Sequence, residues 1–542
     1  MNVHFRHPRK IFPHLLSAVL CVAIFCGQCG ETLSWGAEPL FLRLAANDDD
    51  ETTETPPSQT LYLGESNTQK SDSVTDLSAP NTSANGRFTQ KDTDVSDAAS
   101  LDTVPERVIP SLQTSNDPEA LPPLTPRARS QGITLDGNVR VAETGSSSPQ
   151  TYSDEIYQSL KNDLSKESWG WKKGDFEIVP YGILWGSFSM ESHPSNIGDA
   201  SFWLTQPSDT GTQTHMDFRG TILGMTLKGP KVGLLGDLPT SGKVEFDLQR
   251  TLDFENKATV HLRHCFVEVQ NEDYRLLVGQ TWDIVSPLMP GTLMYNAGWF
   301  SGNAGYRRAQ LRGERYYSLS DTLQVRGQAG IFTPFSADIN FSNVITQRHA
   351  EMPLLQGRVA VVMGERGEGK NPIEVGVASH YVPYQYRVGM LDETVDSYGI
   401  FVDTKVPLNE DFGVQSEFFY GQNLGQFLAN IGEGVSWDPA TGVINGVRGS
   451  GGWINFWYNL TDKSQLKGGW MLDDPKNSDL YTCSSVSNVR TRNSHFFGNI
   501  SYHLTKQFLV GFEYSRWQTD YKGSDAGKSK GNRFDFVSIY GF

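Results

Sequence analysis

The sequence lacks long apolar runs beyond its N-terminus. A membrane-spanning helix needs about 18 or more consecutive apolar residues, and no such run follows the N-terminal stretch. Only 38% of the 542 residues are hydrophobic, and the mean hydropathy is −0.40. These values argue against a helical membrane protein. They are compatible with a transmembrane β-barrel, because only alternate residues of its strands face lipid.

Cysteine is also scarce, with five residues in the whole chain. Three of them lie in or beside the N-terminal apolar stretch, which leaves Cys265 and Cys483. Two cysteines so far apart in the chain do not make a disulfide framework. We therefore interpret Cys265 and Cys483 as two unrelated thiols.

The sequence contains no persuasive catalytic or nucleotide-binding motif. His261 and His264 lie on one strand at a spacing unsuited to a single face, and no carboxylate cluster has the spacing of a metal site. No Walker or Rossmann glycine pattern occurs. The net charge of −16 argues against nucleic acid as a partner. We therefore expect a protein that is not an enzyme and that has no metal and no cofactor.

Residues 1–29 have the pattern of a cleaved signal peptide. Three basic residues precede an apolar stretch at 15–25 that is too short to cross a bilayer. Small residues permit cleavage after Cys29 or after Gly36, and the pattern does not choose between the two sites. The interpretation predicts an exported protein.

Residues 30–150 form a low-complexity acidic segment. Between 38 and 150 there are 18 acidic and 8 basic residues. Such a composition buries too little apolar surface to offset the entropy of the chain, so we expect this segment to be disordered. The following stretch, 151–174, is interpreted as a linker in which 153–166 could form a short amphipathic helix.

Residues 175–542 alternate between apolar and polar side chains with the period of two expected of strands. In the segment 243–249, for example, Val244, Phe246 and Leu248 share one face and charged residues share the other. Short charged connections such as 409–411 alternate with long ones such as 283–306, as in transmembrane barrels. About sixteen such segments begin near residues 176, 216, 243, 258, 274, 308, 322, 354, 372, 397, 412, 452, 464, 494, 507 and 533.

The predicted fold class is therefore all-β, a transmembrane antiparallel β-barrel of about 16 strands preceded by a disordered N-terminal segment. The last segment indicates how the barrel closes. We expect it to pair with the strand that begins near Phe176, and we interpret its aromatic terminus as the C-terminal signal read by the barrel-assembly machinery. The apolar face of that segment carries Phe534, Phe536, Tyr540 and Phe542.

Basic residues concentrate in the segment 305–315. We assign its polar face to the lumen because Ala309 and Leu311 oppose it. A row of arginines along one wall would favour anionic solutes, whereas arginines that each pair with a lumen carboxylate would make a wall of mixed sign. Both possibilities stay open at this point. The pore-lining candidates are Arg308, Gln310, Arg312 and Glu314 of this segment, with Arg263, Arg326 and Arg358 on neighbouring segments.

The central region resembles the DcaP-type porins. The resemblance lies in Gly279-Gln280-Thr281-Trp282, then Leu288-Met289-Pro290, then the run 302–312. It implies a 16-stranded trimeric channel for small, often negatively charged solutes, with Arg308, Gln310 and Arg312 lining the pore. The chain departs from the family pattern at 181–185, which matches loosely, and in having no coiled coil before the barrel.

The long connection 283–306 follows about the fifth strand, where general porins fold a constriction loop into the barrel. Its candidate constriction residues are Pro287, Pro290, Trp299 and Phe300. Asp283, at the start of the connection, is a candidate acidic partner for the arginines and a further pore-lining candidate.

These observations favour a porin, a passive diffusion channel for small hydrophilic solutes, with anions among the candidate solutes. Its expected partners are outer-membrane lipid, the barrel-assembly machinery, two further copies of the chain in a homotrimer, and the solutes, with no nucleic acid. Two alternatives come from other classes. One is a structural barrel that anchors envelope partners through its acidic N-terminal segment, and the other is an outer-membrane hydrolase.

Overall fold

The computed structural model describes residues 170–196, 200–233, 237–249, 258–334, 345–367, 370–482 and 488–542. The expected signal peptide at 1–29, the acidic segment at 30–150 and the helix at 153–166 lie outside the described residues, as does Cys483. In the described ranges no helix is long and apolar enough to cross a membrane.

Strands make up most of the described chain, and the three helices in it are single 3-10 turns at Gly425–Phe427, Asn430–Gly432 and Asn477–Asp479. The strands are β1 (Trp171–Lys173), β2 (Phe176–Glu191), β3 (Gln213–Asp217), β4 (Ile222–Val232), β5 (Leu238–Asp247), β6 (His261–Gln270), β7 (Tyr274–Trp282), β8 (Arg307–Ser320), β9 (Leu323–Phe332), β10 (Thr346–Ala350), β11 (Leu354–Met363), β12 (Ile373–Val388), β13 (Leu391–Pro407), β14 (Phe412–Gln422), β15 (Val435–Trp437), β16 (Ile444–Gly446), β17 (Arg448–Thr461), β18 (Ser464–Pro475), β19 (Asn488–His503), β20 (Phe508–Gly523) and β21 (Gly527–Gly541).

The strands form a closed antiparallel barrel that is sixteen strands around. β3 and β4 both pair with β2 and count as one interrupted barrel strand, and β10 and β11 count as another beside β12. β1 is a short addition to the start of β2, and β15 and β16 form a separate hairpin. Each remaining strand pairs with the next one in sequence. The strand number predicted from the alternation is confirmed.

The barrel closes between β2 and β21, as the sequence predicted. The register runs from Ile183 opposite Gly541 to Glu191 opposite Arg533. Beyond it, the backbones of Gly182 and Phe542 exchange two hydrogen bonds of 3.0 Å. A side chain at position 182 would collide with the Phe542 ring, since a Cβ there would lie 2.3 Å from Phe542 Cζ. Glycine at 182 therefore lets the terminal ring lie flat on the closing seam.

The two faces of the wall have opposite character. Large apolar side chains stay exposed on the outer face, among them Val278 at 54%, Phe496 at 62% and Phe512 at 62%. Charged and polar side chains point inward and are buried, such as Glu245, Arg358 and Asp535. A continuous apolar exterior around a polar interior is the arrangement of a membrane-spanning barrel, because lipid takes the place of water outside.

Several strands extend further than their alternation indicated. β19 begins at Asn488 and β21 at Gly527, six residues before the starts near 494 and 533 expected from the sequence. The first residues of β21 include Lys528, Ser529 and Lys530, which are polar on both faces. The hydrophobic alternation marks the part of a strand that crosses the apolar belt, and the strands continue past it into the polar region.

Short turns and long loops lie at opposite ends of the barrel. The connections 408–411, 462–463 and 504–507 are turns at one end. The connections 192–212, 283–306 and 423–447 are long and lie at the other end, which we call the loop end. This asymmetry agrees with the prediction. Most described residues of the three long loops are buried, so these loops extend into the barrel.

Candidate functional site

The connection 283–306, which we call the inner loop, lies inside the barrel. Of its 24 residues, 20 are buried. Its two ends are joined, because Asp283 N donates to Tyr306 O at 2.8 Å and Tyr306 N donates to Asp283 Oδ2 at 2.9 Å. A closed pair of ends gives the loop a fixed base on β7 and β8.

From this base the inner loop follows the inside of the wall past one strand after another. Ile284 N donates to Gln356 of β11 at 3.0 Å, and Leu288 N donates to Glu417 of β14 at 2.7 Å. Further along the loop, side chains on the wall hold three more points. Gly291 N donates to Asn455 of β17 at 3.1 Å, Leu293 N to Glu513 of β20 at 2.7 Å, and Tyr295 Oη to Asp247 of β5 at 2.6 Å. The loop thus runs around most of the inner circumference.

The second half of the inner loop packs against the other two long loops. Phe300 N donates to Leu428 O at 2.8 Å, and Gly305 N donates to Phe427 O at 2.7 Å. Asn296 Nδ2 donates to Ala200 O at 3.1 Å. Aromatic rings fill the junction, where Phe300 lies 5.1 Å from Phe202 and 5.6 Å from Trp203 between ring centroids. The three loops therefore pack together inside the barrel at the loop end.

Gly302 shows how closely the returning loop approaches the wall. Its φ is +118°, and a Cβ at this position would lie 2.2 Å from Gly452 O. Only glycine tolerates both the backbone conformation and the contact. The run 302–312, part of the resemblance to the DcaP-type porins, therefore includes a residue required by loop packing.

The four residues expected in the constriction all lie within the inner loop. Pro287, Pro290 and Phe300 are buried, and Trp299 is half-buried. Trp299 contacts Tyr306 at 5.3 Å between ring centroids. Pro287 and Pro290 flank the segment that Glu417 holds through Leu288 N. Their role in solute passage stays a prediction.

Arg308 and Arg312 point inward from β8, and each has a carboxylate beside it. Arg308 Nε lies 3.0 Å from both carboxylate oxygens of Asp283. Arg312 Nε lies 2.9 Å from Glu314 Oε1 but is not aligned for a hydrogen bond. Gln310, between them, donates to the carbonyls of Thr281 and Trp282. The candidate acidic partner, Asp283, therefore does meet one of the candidate arginines.

The other predicted arginines form ion pairs across neighbouring strands. Arg358 lies 2.6 Å from Asp403 and 2.8 Å from Glu374, and Arg326 lies 3.0 Å from Glu374. On the other side of β8, two more arginines continue the pattern, the predicted Arg263 and Arg275, which was not predicted. Arg263 lies 2.6 Å from Glu245 and 3.0 Å from Asp247, and Arg275 joins Glu268 and Glu314. Of the two possibilities left open by the sequence, the geometry matches the wall of mixed sign.

One buried arginine differs from the others. Arg307 is 3% exposed, and among the described residues no carboxylate lies within ion-pairing distance of it. Its guanidinium carbon lies 4.6 Å from the Trp282 ring, 5.1 Å from Tyr306 and 5.9 Å from Trp299. Its Nε and Nη1 atoms make no hydrogen bond within the described residues. Aromatic faces stabilise this cation.

Sequence reasoning gave no role to Arg307 or to Glu417 and Glu513, two of the carboxylates that hold the inner loop. By the alternation of β8, Arg307 falls on the same side as the outward-facing Ala309, yet it is buried among the rings of Trp282, Trp299 and Tyr306. Glu417 and Glu513 stood out in no motif. The available signal was weak: a lone carboxylate on an inward position of a strand. In the described residues no cluster of metal-ligating side chains forms.

No protein-family model and no curated protein sequence matches the chain. Its structure is similar to solved outer-membrane channels. The outer membrane channel DcaP of Acinetobacter baumannii superimposes with a TM-score of 0.54 at 17% identity, over 69% of this chain and 99% of that one. An anion-selective porin from Comamonas acidovorans gives 0.42 at 12% identity over 68% and 100%, and OmpF of Salmonella typhi gives 0.42 at 14% over 69% and 100%. The chain has the fold of the DcaP channel, in agreement with the resemblance seen in its sequence.

Proposed function

We propose that this protein is an outer-membrane porin for passive diffusion of small hydrophilic solutes. The barrel fold that the chain shares with the DcaP channel supports the proposal. The observation that carries the proposal is the charged inner wall of a sixteen-stranded barrel. Inward-facing charged side chains suit contact with water and hydrophilic solutes, and a barrel that served as an anchor alone would have no use for them. A barrel of this width has room for an aqueous route.

The inner loop supports selection by size. It runs along the wall rather than across one chord, since it is bonded to β11, β14, β17, β20 and β5 in turn. A loop held at so many points narrows the route without depending on one contact. We infer that solute passage is limited by the space that this loop leaves free.

Arginines and carboxylates alternate on the inner wall, which supports a weak selection of solutes by charge. Paired arginines and carboxylates offset one another, so the net field of the wall is weaker than that of a row of arginines. Arg307 is the exception, because among the described residues no carboxylate lies within ion-pairing distance of it, and Asp247 interacts with it only from further away. We infer a modest preference for anions that depends on Arg307 more than on Arg308 or Arg312.

Planar-bilayer recording of the purified full chain tests the channel. We expect stepwise conductance, in multiples of three if the chain forms the homotrimer that the family resemblance implies. Silence of protein that migrates as a folded barrel on unheated gels would overturn the porin and favour the structural anchor. A serine-directed activity probe, labelling the same preparation, would instead favour a hydrolase.

Reversal potentials in a salt gradient test the anion preference. Arg307→Met keeps much of the packing volume and removes the charge, so we expect a shift towards cations. Arg315→Met is the matched control, because Arg315 lies on the outer face near a short turn and is 43% exposed. Equal shifts in the two variants would contradict the role of Arg307.

We also propose that the chain is exported with a cleaved signal peptide, assembled through its C-terminal aromatic residues and placed in the outer membrane. The exposed apolar belt and the fold of the DcaP channel support the membrane location. Separation of inner and outer membranes on a density gradient tests the location. The mass of the mature protein distinguishes cleavage after Cys29 from cleavage after Gly36.

A further inference from the structure

A groove crosses the outer wall where two glycines are neighbours. Gly468 of β18 faces Gly498 of β19 across the ladder. A Cβ at Gly498 would contact nothing within 4 Å, and one at Gly468 would meet only Phe497 O, at 3.5 Å. The wall at this point has no side chains on its outer surface. We call the depression the glycine groove.

Aromatic and aliphatic side chains wall the glycine groove on both sides. The open space has a volume of about 630 Å³. Phe456 and Tyr514 extend the same cross-strand row, because Phe456 pairs with Gly468 and Tyr514 with Gly498. The next row towards the short turns is apolar as well. Its members are Tyr458, Leu466, Ile500 and Phe512.

A cluster of cations lies on the same face, from the groove towards the loop end. Arg516 is two residues beyond Tyr514 on β20, roughly 7 Å along the strand, and Lys530 pairs with Gln518 two residues further on. Arg492 and Lys528 flank Asp520 in the row beyond that. We call Arg492, Arg516, Lys528 and Lys530 the basic rim, and all four are exposed.

The charge of the basic rim is only partly balanced. Asp520 lies 3.6 Å from Lys528, and Asp474 is the other carboxylate on this part of the outer face. Arg516 donates to the amide oxygen of Asn532 at 2.7 Å, which orients the guanidinium without neutralising it. Four cations against two carboxylates leave a positive surface on a chain whose total charge is −16.

The loop-end surface of β12 and β13 has the opposite balance. There Arg387 pairs with Asp392, and Arg348 lies 3.8 Å from the same carboxylate. Glu351 and Asp396 accept hydrogen bonds from neutral side chains. A positive rim is therefore a local property of β19–β21 and is not shared by the whole loop end.

We propose that the glycine groove and the basic rim together bind a phosphate-bearing lipid of the surrounding membrane leaflet. One acyl chain lies in the groove, and the phosphates lie against Arg516, Lys530 and the residues beyond them. The groove is within the apolar belt, where acyl chains are the solvent, and the rim is on the side of the long loops, at the level of headgroups. Anionic headgroups complement basic residues at this position. The proposal does not depend on whether the barrel conducts.

Binding of lipid A by the full chain in detergent tests the proposal, with enzymatically dephosphorylated lipid A as the comparison. We expect the phosphorylated lipid to bind at least tenfold more tightly. Arg516→Gln with Lys530→Gln lowers only the affinity for the phosphorylated lipid, by about twentyfold, since each cation near an anionic headgroup contributes about fivefold. Arg315→Gln is the matched control and leaves both affinities unchanged.

Filling the glycine groove tests the acyl-chain half of the site. Gly498→Leu projects into open space, so the barrel should still fold, and we expect both lipids to bind about tenfold more weakly. Gly327→Leu on the outer face of β9 is the matched control, because a Cβ at Gly327 also contacts nothing within 4 Å. Shifted mobility on unheated gels verifies folding of each variant.

Three results would overturn the proposal. One is equal affinity for the two lipids, and another is an affinity in Gly498→Leu equal to that in Gly327→Leu. The third is efficient disulfide formation between copies carrying Gly498→Cys in a background without native cysteines, since that result would place a second copy of the chain, rather than lipid, over the groove.

Discussion

Asp283 and Arg308 form an ion pair where the inner loop leaves and rejoins the wall, with Arg308 Nε 3.0 Å from each carboxylate oxygen. Both side chains are almost completely buried, at 1% and 0% exposed. Asp283 also accepts from Tyr306 N and from Gln356 Nε2 at 2.7 Å. One carboxylate therefore connects the loop base, β8 and β11, and the pair bears on both stability and passage.

Breaking this pair should destabilise the barrel. We expect Arg308→Ala to lower the free energy of unfolding by about 3–5 kcal/mol, because it leaves a buried carboxylate without its cation. Urea titration of the protein in micelles measures the change. Arg315→Ala, which removes an exposed arginine 3.9 Å from Asp273, should cost about 0–1 kcal/mol. Similar losses in the two variants would contradict the importance of the buried pair.

Charge selectivity should respond in opposite directions to the two members of one wall pair. Arg326 and Glu374 lie 3.0 Å apart and are 11% and 17% exposed, so both are reached by ions more readily than the deeper pairs. We expect Glu374→Gln to shift the reversal potential towards anions and Arg326→Gln to shift it towards cations. Shifts of the same sign would contradict a wall whose two charges offset each other.

Release of the inner loop should widen the route. Glu513 accepts from Leu293 N at 2.7 Å, from Thr292 Oγ1 at 2.6 Å and from Asn499 at 2.7 Å. Glu513→Ala removes all three contacts and leaves buried donors unpaired, at about 1–3 kcal/mol for each donor. We expect larger and noisier single-channel currents. Glu513→Gln retains an acceptor and should stay close to the native conductance, so an increase of the same size there would contradict the interpretation.

The closing seam should be sensitive to any side chain at position 182. Gly182→Val places branched atoms where the Phe542 ring lies, so the exposed ring has to turn away from the seam, and we expect a modest loss of folded barrel. Phe542→Ala removes the ring while both backbone hydrogen bonds can form, so in refolding from urea into detergent, where the assembly machinery is absent, its defect should be smaller. Combining the two substitutions should restore part of the folded yield, measured by mobility on unheated gels. Absence of any restoration would show that the ring contact is not the cause.

The strand pattern of the barrel was accessible from the sequence because alternation is a local property. Val244, Phe246 and Leu248 indicate an outer face without knowledge of any partner strand. The loop-end extensions of β19 and β21 were missed because residues such as Lys528 and Ser529 are polar on both faces there. The apolar belt imposes the alternation, and beyond the belt nothing in the sequence requires it.

The residues of the candidate site were accessible in part. Arg308, Arg312, Arg326 and Arg358 were identified as inward-facing, but their partners were not. Arg358 meets Asp403, 45 positions away in the chain, and Leu293 meets Glu513, 220 positions away. Such pairs depend on the register between strands and on the path of a loop through the interior. Neither can be predicted from the residue spacing within one segment.

By itself, then, the sequence determined the repeating part of this protein: the number of barrel strands, the apolar and polar faces of most of them, and the pairing of β21 with β2. Each of these follows from a period of two and from the difference between lipid and water. Only the tertiary structure decided that the inner arginines are paired, that Arg307 lies among aromatic rings, and that Gly468 and Gly498 meet on the outer wall. Those features arise where separate segments come together, so the energy that selects them belongs to the contact between segments and not to either segment alone.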